Sequence, residues 1–170
     1  MTRLLKPAIF VSLAAAVPSP SGAAEALKSE EPTAEQIAVA TQTAVAAVYC
    51  LAAVGKDGPD PARFDEDAAW TGTVTKGYSQ GDMPIAVSFP KDKDGVSRTC
   101  VVEATLASLE LQYAMRGGLE AALQSEPIDQ GSNLIWMFGA GGESPRGLQF
   151  FPDYLGLNNK VNLRLVAAAF

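Results

Sequence analysis

Cys50 and Cys100 are the only thiols in the chain. Redox exchange or metal ligation by thiolates needs a lowered thiol pKa or further ligands. There is no Cys-x-x-Cys spacing here, and two cysteines without histidine make a poor zinc site. In an oxidising compartment the pair therefore reads as one structural disulfide. Tying residues this far apart stabilises by about 4 kcal/mol on the chain-entropy model, a large share of a domain's net stability.

Histidine is absent from the sequence. That removes every Ser-His-Asp, Cys-His and His-metal scheme at once. Acidic residues cluster at Asp57, Asp60, Asp65, Glu66 and Asp67, but without calcium-ligand spacing. Aligning Gly95 with the glycine of an EF-hand loop puts Pro90 at the first ligand and Val101 at the last, so Asp92–Gly95 is a hairpin turn. Gly139–Gly142 resembles a phosphate cradle in composition only. A cradle needs a helix directly after it, and here Pro145 and another strand-like run follow. No cofactor is implied.

The remaining candidates are aromatic: Trp136, Phe138, Phe150, Phe151 and Tyr154. Core packing is the ordinary use of such residues. Five within so short a span exceed what one sheet face needs, and adjacent Phe150 and Phe151 must point opposite ways on a strand. A partner or ligand surface is therefore expected around Trp136, Phe138, Phe151 and Tyr154.

Several elements must position these groups. Thr33-Ala-Glu-Gln36 has the form of a capping box, opening a helix over 34–54 with Gly55 to end it. Ile37, Thr41, Ala44, Val48 and Leu51 lie along one stripe of that helix. Its reverse side is also nearly uncharged, so burial on more than one side is expected. Cys50 sits off the stripe, which predicts a second element there, the strand carrying Cys100. Residues 96–104 are β-branched and alternating, and with Ile85–Phe89 they read as a hairpin about the turn 90–95. Arg98 interrupts the apolar face, as a stem lying along apolar surface with its head in water. Glu103 alternates with valines and should face water. Residues 70–76 alternate weakly, as an edge strand would, and 77–84 read as a loop.

A second helix starts at Thr105 or Ser108, the latter giving the cleaner stripe of Leu111, Met115, Leu119 and Ala122. Gly117-Gly118 in its middle predicts a bend or a close backbone approach. Strand-like runs follow at 134–138, 148–151 and 161–167. The fold expected is α+β: an antiparallel sheet of five or six strands with two helices on one face, in the order α-β-β-α-β-β-β. Phe170 at the terminus is no barrel signal, because counting back in twos from it gives no lipid-facing row.

Residues 1–24 have the three-part layout of a secretory leader: Arg3 and Lys6, the apolar run 7–17, then small residues to Ala24. Residues 25–32 read as a patternless mature N-terminus and 33–170 as a single domain. No later stretch is read as a membrane span. Without Arg3 and Lys6 the chain keeps eleven basic and nineteen acidic side chains, a surface that repels nucleic acid. Together these point to an exported protein, periplasmic or secreted. It acts by binding an envelope protein or a small apolar ligand. The alternative is a hydrolase using carboxylates or a Ser/Lys pair, which would need a pocket with convergent polar groups.

Overall fold

The computed structural model describes residues 31–139, 142, 144–155 and 160–170. The leader expected at 1–24, and most of the segment 25–32, lie outside these. Helix α1 (Ala34–Ala53) opens at the capping box: the Gln36 amide donates to the Thr33 hydroxyl at 3.2 Å, and the Thr33 amide donates to the Gln36 side chain at 2.9 Å. It closes when Val54 turns extended while donating to the Cys50 carbonyl. Gly55 is not in the left-handed region and is not the terminator.

A five-residue helix, α2 (Ala62–Glu66), then places Phe64 in the core. Four strands follow: β1 (Thr71–Thr73), β2 (Gly77–Ser79), β3 (Ile85–Ser88) and β4 (Thr99–Leu106). Helix α3 (Leu109–Leu123) starts from Ser108, whose hydroxyl accepts from the Leu111 amide, and ends with Gln124 left-handed. Four more strands complete the chain: β5 (Ile128–Asp129), β6 (Leu134–Phe138), β7 (Arg146–Phe151) and β8 (Val161–Ala169). All eight form one antiparallel sheet in the order β1-β2-β3-β4-β8-β7-β6-β5.

The α+β class and the antiparallel sheet stand, while the numbers and the order are corrected. Among the described residues there are eight strands rather than five or six, three helices rather than two, and four strands on either side of α3. The unforeseen elements β2, β5 and α2 have two to five residues. Elements so short show no hydrophobic period, and their neighbours in the sheet hold them.

The topology is doubled. One helix precedes a four-stranded meander in each half, α2 being an insertion in the first, and the final strands β4 and β8 join the halves. Their register runs from Thr99 opposite Ala168 to Leu106 opposite Val161. Alternation along the strands then separates two faces. Cys100, Val102, Ala104 and Leu106 of β4, Leu163, Leu165 and Ala167 of β8, Leu148 and Phe150 of β7, and Leu134 and Trp136 of β6 are buried with α1 and α3 in one core. Among the described residues the opposite face carries no helix.

Cys50 and Cys100 are bonded, with Cα atoms 5.3 Å apart and neither residue exposed. This short distance brings α1 close to β4, and the helix meets the sheet with small residues: Ala40, Ala46, Ala47, Cys50 and Ala53 are all buried. As the cysteine pairing led us to expect, Cys50 meets β4 off the stripe of Ile37, Thr41, Ala44, Val48 and Leu51. By length and composition α1 could cross a membrane; here it is packed on the sheet and tied to β4. The disulfide and this apolar N-terminal helix are compatible with an exported, disulfide-stabilised domain.

Candidate functional site: an apolar groove between the two long helices

The face of α1 turned away from the sheet meets α3 side by side. Between them lies a groove of about 670 Å³, within the range of small-molecule sites. From α1 it is lined by Ile37, Ala40, Thr41, Ala44, Val45, Val48 and Tyr49, with Pro32 just before the helix. From α3 come Glu110, Leu111, Ala114, Met115, Gly118 and Ala122, mostly four residues apart, as one helix face requires.

Residue size explains the depth. Leu111 and Met115 are buried at the floor, whereas Ala114, Gly118 and Ala122 leave the α3 wall without bulk. A Cβ built on Gly117 or Gly118 meets nothing within 4 Å. The expected close approach of another backbone is therefore not there, and α3 runs unbroken through both glycines. Their effect is to leave open space. Ile37 remains 50% exposed at the groove.

The polar atoms of the lining are mostly occupied. The Thr41 hydroxyl donates to the Ile37 carbonyl at 2.9 Å, and the Tyr49 hydroxyl donates to Asp67 at 3.2 Å. Burial, then the Asp67 hydrogen bond, pushes the Tyr49 phenol above its ordinary pKa. Glu110 is the one charged side chain in the lining. A hydrogen bond from its own backbone amide, then one from Ser108, holds its carboxyl below the ordinary value.

The chain matches no family model, no curated protein and no solved structure. What the site can do is therefore argued from its own atoms.

The four aromatic residues expected to form a surface are divided by the sheet. Trp136 is 0% exposed, its Nε1 donating to the Ser125 carbonyl at 3.0 Å. Phe138 is half-buried and packs against the core. Phe151 and Tyr154 are exposed. Phe151 belongs to the helix-free face, where pairing aligns Ile128 with Ile135 and Met137 with Gly147. Met137 and the ring of Phe170 both crowd the space a side chain on Gly147 would need. Phe150, next along, faces the core, as adjacency on a strand demands.

A second, shallow concavity of about 610 Å³ includes Glu103, Thr105, Asn162 and Arg164 of the helix-free face. Thr105 donates to Asn162 at 2.8 Å, and Glu103 is 4.0 Å from Arg164. Neither concavity brings two carboxylates or a Ser/Lys pair together. In the acidic loop, Asp65 accepts from the Tyr78 hydroxyl at 2.7 Å and Asp60 accepts from the Ala62 amide. Among the described residues no three His, Cys, Asp or Glu side chains gather as metal ligands. Arg98 lies before β4, bonded to Asp92, Asp94 and the Lys56 carbonyl, and it ties the hairpin turn to the loop after α1.

The stripe through Ile37, Thr41, Ala44 and Val48 was legible in the sequence, but nothing local says that α3 runs along it and leaves an open groove. The available clue was the residue-size difference between the two faces of α1. Alanines concentrate on one side, and Ile37, Val45 and Val48 on the other.

Proposed function

We propose that the protein is an exported, disulfide-stabilised binding protein, and that the α1–α3 groove receives a small apolar ligand. One observation carries this reading: α1 buries mostly small residues, Ala46, Ala47, Cys50 and Ala53 among them, while Ile37, Val45 and Val48 line an open concavity. A helix that served packing alone would put its larger side chains inward, where burial stabilises most. The compartment follows from the leader layout of residues 1–24 and from the bonded cysteines.

The test is to fill the groove without harming the fold. Gly118→Leu adds a side chain where there is open space and replaces glycine in a helix interior, a gain of about 0.5–1 kcal/mol. The variant is expected to unfold at an equal or higher temperature and to lose binding of a neutral fluorescent hydrophobe, N-phenyl-1-naphthylamine. Unchanged binding by the stable variant refutes the reading.

A second reading places a protein partner of the envelope on the helix-free sheet face. Its support is the exposure of Met137 at 44%, Phe151 at 37% and Phe170 at 67%, with Tyr154 also exposed, three residues after the end of β7. Phe151→Glu and Met137→Glu should then abolish crosslinks formed in the native compartment while leaving groove binding intact.

A further inference from the structure

This inference rests on the reading of the groove as a ligand site and names the ligand's head group. The groove walls are hydrocarbon, and the Thr41 and Tyr49 hydroxyls are already bonded within the protein. Their O–H donors are thus used, and a ligand body here makes mainly apolar contacts. Among the described residues no lysine or arginine lines the groove. The nearest basic side chain along α3, Arg116, is held by Glu120 at 2.7 Å. An anionic head would thus meet no cation and would face Glu110.

The N-terminus of α3 is already served in part by its own side chains. The Leu111 amide donates to the Ser108 hydroxyl at 3.3 Å, and the Glu110 amide serves its own carboxylate. Glu110 itself has no ion-pair partner among the described residues. It is exposed, so it stays hydrated until a counter-charge arrives.

We propose that the groove selects single-chain amphiphiles with a positively charged head, the chain lying between α1 and α3 and the head against Glu110. The complementarity is of shape and of charge together: an elongated apolar trough with one carboxylate in its lining.

The intact oxidised protein is loaded with N-phenyl-1-naphthylamine. The dye is then displaced by dodecyltrimethylammonium, dodecyl maltoside or dodecanoate, each below its micelle-forming concentration. The ammonium should bind about three- to fivefold tighter than the maltoside, the scale of an exposed ion pair, and dodecanoate should bind weakest. Added salt should shrink the spread. E110Q should bring the ammonium down to the maltoside. E35Q alters a first-turn acid of α1 outside the lining and should change nothing. Equal binding of all three ligands, or a preference that survives E110Q, overturns the head-group inference while leaving the groove reading in place. Failure of the dye and all three ligands to bind removes the groove reading itself.

Discussion

Phe64 shows how one side chain from a five-residue helix can organise a corner of the core. Its ring is stacked on Tyr78 at 4.9 Å and lies edge-on to Tyr49 and Trp70, both at 5.4 Å, and to Phe89 at 6.2 Å. Such pairs stabilise beyond the area they bury. Phe64→Ala is expected to cost about 3–5 kcal/mol in a urea titration. The two tyrosines at this corner end on carboxylates, Tyr78 on Asp65 and Tyr49 on Asp67. Burial first, then the Asp65 hydrogen bond and charge, pushes the Tyr78 phenol up to about 12. The neutral phenol is therefore favoured in the folded state over the unfolded one. That stabilisation is complete below the ordinary tyrosine value near 10 and is lost as pH rises through 12. The unfolding temperature should fall across that window, and Tyr78→Phe should flatten part of the fall. At neutral pH the same variant should lose about 1 kcal/mol with its hydrogen bond. These residue-level partners were not legible in the sequence. Asp65 and Asp67 read as a solvated acidic loop, because their tyrosines lie thirteen and eighteen positions away.

At the scale of elements, local grammar was readable where it is self-contained. The Thr33–Gln36 capping box, the Ser108 cap and the β3–β4 hairpin each need only neighbouring residues. On α1 the period marks an apolar stripe without saying what will cover it, whereas the cysteine pairing already set the strand carrying Cys100 on the side off that stripe. Cys50 must approach β4, so its face goes inward. Replacing both cysteines with alanine should lower stability by about 4 kcal/mol in a denaturant titration against the oxidised protein. Both cysteines are wholly buried. A reductant added to the folded protein should therefore act only at the rate of opening, measured by thiol labelling with and without urea.

For the molecule as a whole, the doubled arrangement of one helix and four strands produces both candidate surfaces. Joining the halves through β4 and β8 makes a single continuous sheet. The two long helices, α1 and α3, lie together on one side, and among the described residues no helix covers the other. The groove is the seam between the helices of the two halves. The apolar patch of Met137, Phe151 and Phe170 lies on the uncovered side of the second half. Two surfaces on opposite faces can be altered separately, so Gly118→Leu and Phe151→Glu should behave additively in stability.

The sequence by itself determined the bonded pair, since two cysteines allow only one internal bond. It also determined the long helices, the antiparallel class and the absence of histidine chemistry. Only the tertiary structure decided what lies along the other side of α1, and hence that a groove exists. It also decided that Trp136 belongs to the core while Phe151 does not. The physical reason is that burial belongs to pairs of surfaces. A stripe of residues carries its own hydrophobicity, but the element that covers it comes from elsewhere in the chain, here a strand fifty residues away from Cys50.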